Sequence, residues 1–416
     1  AVIADATKGN PAWDVRYASV AKSLNNVLKK TQGLMDGFAR KDIAAIKDVQ
    51  DAEFRAWQGR QAGGDKNLLT QLDAVIAQDM ALQREEAAWA EATHSDLLKS
   101  ARTLYRLALE REKPDAAREG GYQERDLSFI KARLARLEQS FVPAVDEARF
   151  KAALARYARI DAAVRPQGVQ GMDALLPKES ALPAMYRSSE LADTAKRLAW
   201  IGKDPKAFRA SNDPFIALAV RLHDAGMALE QRREEIDGNL ERVIPQYMVA
   251  VIAWKTSQGK PVYPDANSTL RVTYGTVSPY APRDGLLKGP FTTVEGILEK
   301  ETDKDPFIVP AALKAAIQGK RYGVFKDKAL GTVPVNFLSS ADTTGGNSGS
   351  AVMNGRGELV GLNFDSTYES ITKDWYFDTA ITRAIHVDIR YMLWVMKEVD
   401  HADNLLKEMT IKYPKK

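Results

Sequence analysis

The chain contains no cysteine. That excludes disulfides, cysteine-based zinc sites and a cysteine nucleophile, and leaves the compartment open. It has no run of 18 apolar residues, so no transmembrane helix and no membrane partner are expected. An excess of one charge sign is also missing. The net charge is only +4 over 416 residues and the bases are interleaved with acids, which gives no footprint for nucleic acid. There is no glycine-rich phosphate loop and no His/Glu cluster spaced for a metal, so no cofactor is expected. Histidine is scarce, with four in the chain. The first residues, Ala1-Val2-Ile3-Ala4-Asp5, lack an initiator Met and a charged leader. They read as an internal start: a processed product, a fragment, or the later part of a longer protein.

What is present divides at about residue 257. The length suits two domains or three, and an apolar fraction of 45% suffices for real cores. Residues 14 to about 256 read as helix after helix, which makes 1–257 a helical domain. Tyr17, Val20, Leu24, Val27, Leu28, Leu34, Met35 and Phe38 recur every three or four positions and predict one apolar helix face. A second helix is expected over 66–112, ended by Pro114, with shorter ones near 123–139, 143–160 and 190–204. Proline and glycine predict a loop over 164–190. A further helical stretch covers 213–257, with a break expected at Gly238-Asn239. Its charge run Gln231-Arg232-Arg233-Glu234-Glu235 reads as a solvated face.

Residues 258–416 change texture. Tyr263 to Asn267 reads as a turn, and Ser268 to Val277 alternates as a half-buried strand does. Thr332 to Leu338, Ala351 to Met353 and Glu358 to Phe364 predict further antiparallel strands, one barrel of a two-barrel protease. A closing helix is expected over 389–399, and a last short one holds Leu405-Leu406.

Between those strands lies Thr343-Thr344-Gly345-Gly346-Asn347-Ser348-Gly349-Ser350. A nucleophilic serine needs an exposed hydroxyl on a tight turn and backbone N–H groups converging on one point. Glycines on both sides allow such a turn. Ser348 is therefore the candidate nucleophile, with the amides of Gly346 and Ser348 as the oxyanion hole; a plain glycine-rich hairpin is the alternative. No base accompanies it. His94 and His223 fall in predicted helices, His386 precedes the closing helix, and His401 lies near the end. None sits in a turn after a strand, and all four read as structural or surface residues. The catalytic His and Asp are thus expected on a segment upstream of residue 1.

Several ordered stretches together resemble the dipeptidyl-peptidase 7 and 11 family of Gram-negative bacterial serine exopeptidases. They are Arg16-Tyr17-Ala18-Ser19 with Asn26 and Gly33-Leu34, Tyr263 to Gly275, Thr344 to Ser350, Gly361 to Asp365 and Val387 to Trp394. The resemblance implies an α+β fold in which a large helical domain, 1–257, is inserted in a chymotrypsin-like antiparallel double β-barrel. The second part of that barrel, with a C-terminal helix, would occupy 258–416. It implies release of dipeptides from free peptide N-termini, a homodimer, and a location in the periplasm or at the cell surface. It places Asn26 and Asp365 at the substrate amine. Val27-Leu28 stands where the family commonly has aromatics. Ser366 resembles the family's specificity position, where serine or arginine accompanies Asp or Glu before the cut bond and glycine accompanies bulky hydrophobic residues. The alternatives are hydrophobic preference within the same family, a chymotrypsin-like endopeptidase with a helical partner domain, and an inactive helical scaffold.

Overall fold

The structure, a computed structural model, describes residues 2–61, 67–165, 172–260, 262, 269–302, 304 and 306–413. The chain divides into two compact units, residues 1–26 with 52–262 and residues 27–51 with 263–416. The sequence boundary at 257/258 lies near 262/263, and residues 27–51 group with the second unit.

The first unit is helical. Its long helix Pro214–Ser257 packs on Leu68–Ala92 and Asp96–Glu110. Leu229, Ile236 and Val243 are buried at seven-residue spacing, against Val75 and Leu82 and then Leu68 and Leu72. This seam overrides the break expected at Gly238-Asn239: the helix runs through unbroken. A helical glycine costs about 1 kcal/mol, whereas each buried aliphatic contributes about 1.5–3 kcal/mol. The charge run is also not merely solvated. Arg232 grips Glu85 at 3.0 and 2.6 Å, and Arg233 grips Glu86 at 3.0 and 2.7 Å, so the two helices are stitched together.

The single helix expected over 66–112 is two helices, parted at Thr93-His94-Ser95. The Ser95 hydroxyl caps the second by accepting from the Leu98 N–H. Ser95 is held by a carboxylate 51 residues away. Buried Asp146 accepts from Ser95 Oγ at 2.9 Å, the Asp96 N–H at 3.0 Å and the Tyr186 hydroxyl at 2.6 Å. No glycine or proline marks this corner, which is why periodicity alone ran the helix through. His94 therefore lies in the connection and not in a helix. Within the expected loop, 182–188 is helical, as is 172–175; residues 166–171 lie outside the described residues. Among the described residues, no helix is long and apolar enough to cross a membrane.

The second unit is α+β. A hairpin pairs β1 (Tyr280–Arg283) with β2 (Leu286–Lys288). A five-stranded antiparallel sheet joins β3 (Phe291–Thr293), β4 (Pro334–Ser339), β5 (Ala351–Met353), β6 (Leu359–Ser366) and β7 (Ala384–Asp388) in the order β3-β4-β7-β6-β5. The helix Ile389–Trp394 follows β7 and continues as a π turn to Val399. Fully buried Trp394 donates its indole N–H to the Arg321 carbonyl at 2.7 Å within a core of Val294, Ile317, Phe325 and Val333.

Two expectations fail here. The strand expected over 268–277 is absent among the described residues: the segment makes one bridge, Val277 to Ser339, and Leu270, Val272 and Tyr274 are 93%, 83% and 92% exposed. Alternation supplies two faces but not a ladder partner. The turn expected over 263–267 and Ser268 lie outside the described residues. On the helix Pro11–Lys41, Leu24, Val27, Leu28 and Met35 are exposed, whereas Gly33 and Gly37 are buried. Over its second half the covered face combines Gly33 and Gly37 with half-buried Leu34 and Phe38, so hydrophobic periodicity found only part of it.

Candidate active site

Ser348 is exposed on the loop that joins β4 to β5. Gly346 and Gly349 flank it with φ of +99° and +84°, values that side-chain-bearing residues rarely adopt. The turn is fixed by its own polar groups. The Thr344 N–H donates to Asn347 Oδ1 at 2.9 Å, and the Asn347 N–H donates to the Thr344 carbonyl at 3.2 Å. Neither the Gly346 nor the Ser348 N–H finds an acceptor among the described residues. Two free donors in one tight turn, one of them on the serine itself, are the kind of groups that stabilisation of an oxyanion requires.

The far side of the loop is pinned to β6 through one residue. The Gly349 N–H donates to the Asn363 carbonyl at 2.7 Å, and the Asn363 N–H donates to the Ser350 carbonyl at 2.9 Å. The Asn363 side-chain amide donates to the Asn347 carbonyl at 3.2 Å. Sequence reading passed over Asn363, since its partners lie up to sixteen residues away. As a positioning residue it should act on the chemical step. Asn363→Leu is expected to lower kcat roughly ten- to a hundredfold with KM little changed, the loss of one buried hydrogen bond and some loop definition. Steady-state kinetics on a dipeptide substrate checks this, and an unchanged kcat would refute it.

Ser348 Oγ donates to the Phe364 carbonyl at 3.4 Å. β6 bulges at this point: Asn363 faces His386 and Asp365 faces Ile385, so Phe364 is the extra residue. A bulge redirects the side chains beyond it. Those are Asp365 and Ser366, inside β6 and not after it. Asp365 is exposed, with Oδ1 accepting from the Ser366 N–H at 2.7 Å. The second unit thus brings together Gly346, Ser348, Asp365 and Ser366. Asn26 is exposed on the helix Pro11–Lys41, the last residue of the first unit's opening segment.

The Ser366 hydroxyl accepts a hydrogen bond from Lys373 Nζ. No periodicity signalled Lys373, because a fold in the 367–382 segment brings it back to β6. Burial lowers its pKa, opposed by the carboxylates of Asp374, Asp342 and Asp365.

No histidine hydrogen-bonds Ser348 among the described residues. His94 Nε2 meets Arg149 at 3.2 Å, and the His223 ring lies edge-on to Tyr105. His386 is buried within β7, its Nε2 at 2.7 Å from Ser339 Oγ and its ring 4.8 Å from that of Phe337. His401 is exposed near the end of the chain. In the first unit three exposed glutamates, Glu119, Glu230 and Glu234, converge. Glu230 already pairs with Arg106 at 3.1 Å, and an exposed acidic group of this kind defines no metal centre.

An exposed serine on a glycine-flanked turn, beside free amides and a strand carrying an acid, is the arrangement of a serine-hydrolase nucleophile. The chain belongs to the Peptidase S46 family, which it matches over residues 1–411. It is 44% identical to an Asp/Glu-specific dipeptidyl-peptidase of Shewanella putrefaciens, covering 95% of this chain and 57% of that protein. It is 27% identical to a dipeptidyl-peptidase 7 of Porphyromonas endodontalis, covering 99% of this chain and 50% of that protein. Its fold is similar to the crystal structure of Porphyromonas endodontalis DPP11 in complex with the dipeptide Arg-Asp, with a TM-score of 0.78 and 27% identity over 99% of this chain and 59% of that one. The chain therefore spans little more than half the length of the relatives it matches.

Proposed function

We propose that this chain carries the nucleophile and substrate-binding groups of a serine dipeptidyl peptidase that releases dipeptides from free peptide N-termini, with Asp or Glu before the cut bond. The observation that carries the reading is the Ser348 turn, with its exposed hydroxyl and the free N–H groups of Gly346 and Ser348. Ser348 Oγ attacks the carbonyl of the second residue, its proton passing to a general base. The two amides take the negative charge of the tetrahedral intermediate. Collapse expels the shortened peptide's amine and leaves an acyl-enzyme, which water hydrolyses.

Asp365 anchors the substrate's α-ammonium, a role that the family resemblance also gives to Asn26. A carboxylate suits that role because it only accepts hydrogen bonds and carries the complementary charge. Ser366 contributes to the choice of side chain. In this reading the strands of the second unit form part of a chymotrypsin-like double barrel, and the enzyme accepts only two residues ahead of the cut. The protein acts as a homodimer in the periplasm or at the cell surface. The Asp/Glu-specific name of the Shewanella putrefaciens relative favours an acidic preference. The name of the dipeptidyl-peptidase 7 relative keeps hydrophobic preference as the second reading.

The test uses protein expressed from its full gene and fluorogenic dipeptides ending in Glu, Asp, Leu or Met, each with a free and a blocked N-terminus. Free-amine substrates ending in Asp or Glu should be cleaved, with at least a hundredfold preference over their blocked forms, the loss of one charge-assisted anchor. Asp365→Asn should shrink that preference. Equal cleavage of blocked substrates would indicate an endopeptidase, and cleavage of the Leu and Met set alone would move the preference to hydrophobic side chains.

A further inference from the structure

Ser366 alone is a poor receptor for a carboxylate. A hydroxyl offers one proton and no charge, whereas strong carboxylate recognition uses a charged donor. The structure supplies that charge next door. Lys373 Nζ donates to Ser366 Oγ, and this donation leaves the hydroxyl proton free to point at a ligand. Lys373 is half-buried and, among the described residues, makes no ion pair. The other ion pairs of this segment are committed elsewhere, Glu369 to Lys288 and Asp378 to Lys41.

The ammonium is held in a fixed place. The segment after β6 is folded back by the Thr367 N–H donating to the Arg383 carbonyl at 3.0 Å and the Lys373 N–H donating to the Ser370 carbonyl at 2.9 Å. The Ser370 hydroxyl accepts from the Arg383 N–H at 2.9 Å. On its other side, residues 27–41 of the helix Pro11–Lys41 lie against it through the bare backbone of Gly33 and Gly37. A Cβ at Gly33 would come within 2.6 Å of Ile371 Cδ1, and one at Gly37 within 2.5 Å of Thr372 Cγ2. Phe38 meets Trp375 edge-on at 5.4 Å. The next residue ties the segment to the nucleophile loop, Asp374 Oδ1 accepting from the Thr344 hydroxyl at 2.6 Å. Lys373 is thus fastened between the strand that carries Ser366 and the loop that carries Ser348.

We propose that Lys373 and Ser366 together form the receptor for the acidic side chain before the cut bond, Lys373 supplying the charge and Ser366 the orienting hydrogen bond. This rests on the dipeptidyl-peptidase reading of the same site. The three carboxylates that face the ammonium, Asp374 beside it in sequence, Asp342 before the nucleophile loop and Asp365 on β6, oppose the effect of burial and favour its charged form. Asp374 is engaged by Thr344, and Asp365 is the group assigned to the substrate's ammonium. A peptide with a free amine and an acidic second residue brings one charge of each sign. Asp365 takes the positive one and Lys373 the negative one, so each charge of the peptide meets its opposite. Lysine acts as a point charge and does not need the planar fork geometry of arginine, which suits a receptor completed by a hydroxyl.

Protein expressed from its full gene is assayed on free-amine dipeptides ending in Glu, Gln and Leu. Lys373→Met should lower the Glu-to-Leu ratio of kcat/KM by roughly 30- to 100-fold, chiefly through KM on the Glu substrate, as expected for one charged contact. Lys373→Arg should retain most of that ratio. Losses in parallel on Glu and Leu substrates would make Lys373 a mere support for the fold and overturn the proposal, as would an unchanged ratio. A readout without any variant guards against misfolding. The unmodified protein should prefer Glu over Gln by at least about tenfold, with the preference weakening as salt rises; equal use of Gln and Glu would overturn the proposal. Cleavage of Leu substrates alone would discard Lys373 as receptor and keep the dipeptidyl-peptidase reading. No cleavage of any free-amine dipeptide would discard both.

Discussion

Ser348→Ala should reduce kcat by about 10,000-fold or more while leaving dipeptide affinity within a few-fold. The basis is the division of labour around the loop. In the proposed mechanism the hydroxyl of Ser348 forms the covalent bond, and without it the acyl-enzyme route closes. What remains is the pair of free amides and the groups that hold the peptide. Such remnants retain some acceleration over water, but orders of magnitude less than the intact set. The substitution removes one exposed oxygen whose only hydrogen bond among the described residues is a long one, 3.4 Å, to the Phe364 carbonyl, so the fold should not feel it. The measurement is turnover of a free-amine dipeptide ending in Glu, paired with direct binding of a non-cleavable dipeptide by calorimetry. Turnover within tenfold of the unmodified protein would remove Ser348 from the mechanism. Loss of binding along with turnover would instead make the loop structural.

That loop was legible in the sequence because its requirements are local. A serine between glycines, with strands before and after, needs nothing distant to be recognised, and β4, β5 and β6 fall within two residues of where alternation put them. The support for the loop was illegible for the opposite reason. Asn363 acts on Asn347, Gly349 and Ser350 across a strand pairing, and Lys373 reaches Ser366 only because the chain folds back. Neither partnership leaves a period. The same contrast runs through the helices. The corner at Ser95 depends on Asp146, and the unbroken helix through Gly238 depends on a seam with Leu68–Ala92. Local rules, one for extending a helix and one for breaking it at glycine, erred in opposite directions at those two places because tertiary partners decided both. Periodicity was half right on the helix Pro11–Lys41, where Phe38 of the expected face does pack, on Trp375, but two glycines, silent on any hydrophobicity scale, share the contact while Leu28 and Met35 stay exposed.

The histidines show how an expectation about chemistry becomes one about stability. His386 reads from the sequence as structural, and its surroundings in β7 give that role a measurable consequence. The ring is 2% exposed between Phe337 and the opposing strand position Asn363. Nε2 meets Ser339 Oγ, while Nδ1 is buried without a partner among the described residues. Burial, with no acid to offset it, pushes the pKa down to about 4 from an ordinary 6.5. The folded protein therefore keeps this ring neutral at pH values where the unfolded chain already binds a proton. Stability from this source is fully present above pH 6.5 and is lost progressively as pH falls to about 4, in total about 3 kcal/mol. His386→Gln should weaken the second unit at pH 7, yet its stability should fall less steeply than that of the unmodified protein between pH 6.5 and 4. Hydrogen exchange of the β6 and β7 amides in increasing urea follows this sheet by itself. Parallel pH dependence in the two proteins would mean that His386 takes up its proton without loss of packing. It would then be a solvated or paired ring, and the neutral, buried imidazole between β4 and β6 would be the wrong description of the sheet behind the nucleophile.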